Sequence, residues 1–112
     1  MILEIAQVDV RPGLEQDFEE GVRQAIPLFL RAAGFRAFQL RRVVENASRY
    51  QLVVTWDRVE DHTVSFMGSE DFTEWRRLVG HCFERLPTVE HSTEVLKWSA
   101  EDATLLVEAA KD

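Results

Sequence analysis

FRAFQLRRVVENASRYQLVVTWD, residues 35–57, has the pattern of two strands joined by a turn. Its flanks, Phe35 to Glu45 and Tyr50 to Asp57, are strand-like runs with many β-branched and aromatic residues. Asn46-Ala47-Ser48-Arg49 between them is a hairpin-length run of turn formers, so the two flanks are expected to pair antiparallel. Upstream, Ile2 to Val10 (ILEIAQVDV) nearly alternates and is closed by Arg11-Pro12-Gly13, which predicts a strand and a turn. Leu14, Phe18, Val22, Ile26, Phe29, Leu30 and Ala33 then recur every three or four residues, the spacing of an amphipathic helix. Gly34 is its expected stop, and Pro27 predicts a kink or a joint inside it.

Downstream, Val59 to Gly68 predicts a short helix. Ser69 caps a longer one whose apolar positions are Phe72, Trp75, Val79, Phe83 and Leu86, with Glu70 and Asp71 at the positive end of its dipole. Pro87 stops that helix, and Thr88 to Leu96 predicts a fourth strand. Ser99-Ala100-Glu101-Asp102 reads as a capping box before Ala103, Leu106, Val107 and Ala110, a C-terminal helix. The order strand, helix, strand, strand, helix, strand is the split βαββαβ arrangement of ferredoxin-like α+β domains, an antiparallel four-stranded sheet with helices on one face. The domain is expected over residues 1–96 and the helical extension over 97–112.

A chain of 112 residues has room for one core, and at this length burial is sufficient without disulfides or a structural metal. Thirteen Lys and Arg against 20 Asp and Glu leave a net charge of −7, which argues against nucleic acid and anionic membranes as partners. Cys82 is the only cysteine, and Glu4 and Asp9 stand where a basic, then apolar, leader is expected in a secreted chain. No apolar run reaches membrane-spanning length, and the cytoplasm is the expected compartment.

One feature of the strands calls for a partner. Leu52, Val53, Val54 and Trp56 are apolar on both faces of their strand, and in the first strand Leu3 and Ile5 as well as Ala6, Val8 and Val10 are apolar. A second copy laid sheet to sheet covers the extra face, and a homodimer is expected. The alternative is cover by the C-terminal helix of the same chain.

The chain resembles the antibiotic biosynthesis monooxygenase domains. The residues that carry the likeness are the opening strand with Arg11-Pro12-Gly13, Glu15 to Glu20 (EQDFEE), and Ala33-Gly34-Phe35. They continue with Tyr50 to Trp56, Glu60-Asp61-His62-Thr63, Ser69 to Trp75 (SEDFTEW) and the strand from Pro87 to Val95. The resemblance implies a dimeric α/β barrel. It also implies a small monooxygenase that oxidises a quinol-like or polyketide-like aromatic molecule with O2, without cofactor or metal. A non-catalytic module of the same fold, binding a small apolar ligand or assisting another enzyme, is the alternative. Haem-degrading members carry an Asn, a Trp and a His where this chain holds Gln7, Ser65 or Phe66, and Trp75. Many quinol-type members carry a His at the place of Ser65, and His62 stands one helical turn earlier.

Cofactor-free oxygenation needs a dry pocket, a base or hydrogen-bond acceptor that makes the hydroxyl more anionic, and donors for the developing oxyanion. His62 is the candidate base, with Gln7 and Arg36 as polar partners and Phe38, Phe66 and Trp75 as aromatic walls. Each has a plainer reading: His62 as a solvated surface histidine beside Asp61, the aromatic residues as ordinary core. His81 reads as a surface or dimer contact, His91 as a cross-strand neighbour, and Cys82 as an inert packed thiol. The histidines show no metal-ligand spacing, and no phosphate-binding or nucleophile-elbow motif occurs.

Overall fold

In a computed structural model, residues 1–102 are described. Four strands and two α-helices follow in the order β1 (Ile2–Asp9), α1 (Glu15–Leu30), β2 (Phe35–Arg42), β3 (Arg49–Trp56), α2 (Glu70–Val79) and β4 (Thr88–Ser92). A single π-helical turn, Asp61–Phe66, lies between β3 and α2, and a short 3-10 turn, Gly80–Cys82, follows α2. The strands form one sheet in the order β2-β3-β1-β4, every neighbour antiparallel. This is the α+β, split βαββαβ architecture that the sequence predicts.

Strand alternation and the pairing register define the two faces. Glu4, Ala6 and Val8 of β1 lie opposite Val54, Leu52 and Tyr50 of β3, and this set faces the helices. Phe18, Val22, Ala25, Leu28 and Phe29 of α1, with Trp75 and Val79 of α2, close over it. The helices meet closely at Gly21, where an added Cβ would stand 2.6 Å from the carbonyl oxygen of Leu78. Leu3, Ile5 and Val53 point the other way, beside Gln7 and Gln51.

Four boundaries differ most from expectation, each for a physical reason. Helix α1 runs unbroken through Pro27, which sits in its last turn, and ends at Leu30 rather than Ala33; Arg31 N–H still reaches the Pro27 carbonyl at 3.3 Å. Strand β2 ends at Arg42, where the turn begins. Helix α2 stops at Val79, because the chain turns back to bond β1: Arg11 N–H donates to Cys82 O and Glu84 N–H to Asp9 O, both at 2.8 Å. Phe83 therefore pairs with Val10 as an isolated bridge instead of continuing the helix. Strand β4 ends at Ser92, whose partner Leu3 is the last residue of β1 in that register. Past that point Val95, Leu96 and Trp98 are exposed. Ser99 and Asp102 bond each other reciprocally as the capping box requires, Asp102 N–H to Ser99 Oγ at 3.1 Å and Ser99 N–H to Asp102 Oδ2 at 3.0 Å. The stripe Ala103, Leu106, Val107 and Ala110 lies outside the described residues.

Candidate active site

Between the sheet and the helices is a cavity of about 280 Å³. Ala6, Val8 and Leu52 form its floor, Phe29, Phe66 and Trp75 its walls, and Met67, Leu86 and Val89 its more exposed rim. The walls interlock, with Phe29 centred 4.8 Å from Phe66 and edge-on to Trp75 at 5.2 Å. This volume and apolar lining suit a one- or two-ring organic molecule. Arg76 reaches the cavity from α2 with its guanidinium over the Phe72 ring, 6.0 Å from the centroid.

The π-helical turn brings the acid–base chemistry to this space. Its wider hydrogen bonding, with Met67 N–H donating to His62 O at 3.0 Å, turns Asp61, His62 and Phe66 inward together. Asp61 fixes the start of the turn: Arg58 N–H donates to its Oδ2 at 3.1 Å, and its carboxylate lies against Gly34. His62 is 6% exposed, so the solvated-surface reading does not hold. Its ring stacks on Trp56 with centroids 5.8 Å apart.

Both ring nitrogens of His62 have partners. Nε2 is 3.4 Å from Oε1 of Glu4, and Nδ1 is 2.8 Å from Nε2 of His91. Glu4 is 5% exposed, and the same Oε1 accepts a hydrogen bond from the indole N–H of Trp56 at 3.0 Å. Trp56 is fully buried, and without this acceptor its N–H would be buried unpaired, at a cost of about 1–3 kcal/mol. Burial pushes the Glu4 carboxyl up to about 7, against the Trp56 hydrogen bond that favours its ionised form. Burial, and then the charge of His91, push His62 down to about 4. Near pH 7 the contact between them is thus made by a neutral imidazole and a carboxyl that is only partly ionised, not by an ion pair.

The raised carboxyl has a consequence for stability. In the unfolded chain Glu4 ionises near 4.5, so between pH 4.5 and 7 the folded state holds more protons and this group makes stability fall as pH rises. His62 acts in the opposite sense between pH 4 and 6.5, where the unfolded chain binds the extra proton and stability rises with pH. Above pH 7 only the cost of the buried carboxylate remains. Glu4→Gln, which keeps the shape without the charge, is therefore expected to raise stability at pH 8 by about 1–3 kcal/mol and to change it little at pH 5, read by thermal melts at the two pH values.

The structure gathers three of the residues singled out from sequence, His62, Phe66 and Trp75, around the cavity. It places three elsewhere. Gln7 points to the opposite face of the sheet, between Gln51 and Thr88, because the alternation that turns Ala6 and Val8 inward turns Gln7 out. Arg36 is on the exterior beside the bulge that opens β2, held by the Asp57 carboxylate at 2.6 and 3.0 Å. Phe38 packs behind Phe29, centroids 4.9 Å apart, one layer from the cavity. Glu4 and His91 line the cavity and were not singled out. Glu4 carried a signal, an acid on the apolar face of an alternating strand. His91 is indeed a cross-strand neighbour, of Glu4 itself. His81 is exposed, and Cys82 is buried, which pushes its thiol above the ordinary range.

Residues 1–78 match the family described as antibiotic biosynthesis monooxygenase. The uncharacterized protein YczJ of Bacillus subtilis is 38% identical over 95 residues, 85% of this chain and all of that one. A crystal structure from Bordetella bronchiseptica, of a candidate antibiotic biosynthesis monooxygenase, is 53% identical with a TM-score of 0.84, covering 85% of this chain and 97% of its own. SnoaB of Streptomyces nogalater, a cofactor-independent oxygenase, is similar in fold, with a TM-score of 0.67 at 16% identity over 88% of this chain and 95% of that one.

Proposed function

This chain belongs to the antibiotic biosynthesis monooxygenase family, and from that premise we propose that it is a cofactor-independent monooxygenase acting on an aromatic, quinol-like or polyketide-like molecule. The observation that carries the reading is a cavity with aromatic walls at which buried Glu4 and His62 meet the exposed His91 as an acid–base cluster. The apolar walls seat the rings, and His62 with its partners draws the proton of the reacting hydroxyl so that the substrate becomes electron-rich enough to reduce O2. One oxygen atom enters the product and the other leaves as water, and both reducing equivalents come from the substrate. SnoaB, a cofactor-independent oxygenase of the same fold, supports this class of reaction. Oxygen uptake with a panel of quinols and anthrones tests it. Uptake above the rate without protein is expected with at least one of them, and none across the panel favours the non-catalytic small-ligand module.

The sheet face bearing Leu3, Ile5 and Val53 is the proposed seat of a second copy, in a cytoplasmic homodimer. Each chain is expected to bury on the order of 800 Å² there. Sedimentation at micromolar concentration is expected to give about twice the mass of the chain. A single species at the mass of one chain would remove the dimeric barrel.

A further inference from the structure

The base of such a site must meet the substrate, yet both ring nitrogens of His62 already face other groups: Nε2 lies 3.4 Å from Glu4 Oε1, and Nδ1 is hydrogen-bonded to His91. The register of the sheet explains the arrangement. Glu4 on β1 and His91 on β4 are direct cross-strand partners on the helix-facing side, and the π-helical turn lowers the His62 ring between them. At the inner end, Oε1 of Glu4 takes both contacts, from Trp56 and His62, while Oε2 makes no hydrogen bond among the described residues. At the outer end, His91 is exposed.

We propose that Glu4, His62 and His91 form a proton wire that charges and discharges Glu4 from solvent while the cavity is filled, and that Glu4 Oε2 is the group that meets the substrate hydroxyl. This rests on reading the cavity as the place where a phenol or quinol is activated.

The transfer balances. With Glu4 ionised, His62 Nε2–H donates to Oε1 and His91 Nε2–H donates to His62 Nδ1. When solvent protonates His91 at Nδ1, His91 passes its Nε2 proton to His62 Nδ1, and His62 passes its own Nε2 proton to Glu4 Oε1. One proton has entered, the carboxyl is neutral, both imidazoles are neutral again, and each hydrogen bond now runs the other way. No electron moves. In reverse, the same path leaves a carboxylate whose Oε2 accepts a charge-assisted hydrogen bond from a substrate hydroxyl and makes it more anionic. His62 is then a positioning and relay residue, and Glu4 the catalytic one.

Few other charges bear on the chain of groups. Asp61, on the same turn as His62, points to Arg58 and Gly34; Arg76 enters the cavity from α2; α1 contributes Phe29 and β3 contributes Trp56, neither of which titrates. The carboxyl that burial holds near 7 is thus ionised and neutral in comparable amounts at neutral pH, as a reversible wire requires.

The test uses the full chain with ¹⁵N-labelled histidine and ¹³C-labelled glutamate carboxyls, followed by NMR from pH 5 to 9. The expected result is that His62 and His91 exchange tautomers together, at the midpoint of the Glu4 carboxyl. Glu4→Gln is expected to abolish the exchange while the backbone spectrum stays folded, and His91→Phe to leave His62 in one tautomer throughout. Tautomers that stay fixed through the Glu4 midpoint, or an exchange that persists in Glu4→Gln, would overturn the wire. The two readings fail separately. Fixed tautomers in a protein that consumes oxygen remove the wire alone, whereas coupled exchange in a protein inert to every quinol removes the oxygenase and leaves the wire.

Discussion

Replacing His62 by Ala is expected to lower turnover of a quinol substrate by roughly a hundredfold or more, the usual worth of general acid–base assistance. The substitution removes the ring that joins Glu4 to His91, so the carboxyl in the cavity loses the imidazole 3.4 Å away and with it the proposed route to solvent. The fold is expected to survive, because Trp56 keeps its acceptor on Glu4 and its packing against Phe35 and Phe66. Melting curves and sedimentation accompany the rate measurement to establish that. A loss below tenfold in a folded protein would make His62 a wall of the cavity and nothing more.

The second large effect is structural and reaches the site from outside it. Gly34 adopts φ +79°, a conformation that costs a residue with a Cβ roughly 1–2 kcal/mol. A methyl group there would also fall 2.0 Å from Oδ2 and 2.3 Å from Cγ of Asp61, well inside contact distance. Gly34→Ala therefore forces Asp61 off the Arg58 N–H and unseats the start of the π-helical turn that carries His62. A loss of at least about 2 kcal/mol is expected, lowering the melting temperature by about 10 °C, with turnover falling as well. Gly13→Ala is the control: that glycine also has a positive φ, +94°, but nothing lies within 4 Å of an added Cβ. Equal effects at the two positions would show that backbone strain alone matters and that the Asp61 contact does not set the turn.

How far the sequence carries depends on whether a property is local. Strand and helix order follows from periodicity within windows of about ten residues, and Ser69 and the Ser99–Asp102 box are read correctly from capping chemistry alone. The end of β4 is not local. Thr93, Val95 and Leu96 have strand character, but the ladder with β1 stops at the pair Leu3 and Ser92, which only the register shows. Helix α2 likewise yields at Val79 to hydrogen bonds made with residues some seventy positions away.

The site divides along the same line. His62, Phe66 and Trp75 come from the two helical segments that follow the third strand, and their facing follows from local spacing. Gln7 lies on the other face, as its strand's alternation assigns it, and that same alternation puts Glu4 among apolar neighbours. An acid at such a position needs a partner, which is the signal that could have found it. His91 offers no comparable signal, since its meeting with Glu4 is fixed by a pairing between the first and last strands.

In the proposed reaction this cavity lets an electron-rich aromatic molecule react with O2 without help from a bound cofactor. Turnover under ¹⁸O2 in unlabelled water, with product masses read by mass spectrometry and protein first shown free of metal and flavin, tests it most directly. One ¹⁸O atom per product molecule is expected, at a rate that drops with His62→Ala. Product oxygen drawn from water, or product formed equally fast without O2, would contradict it.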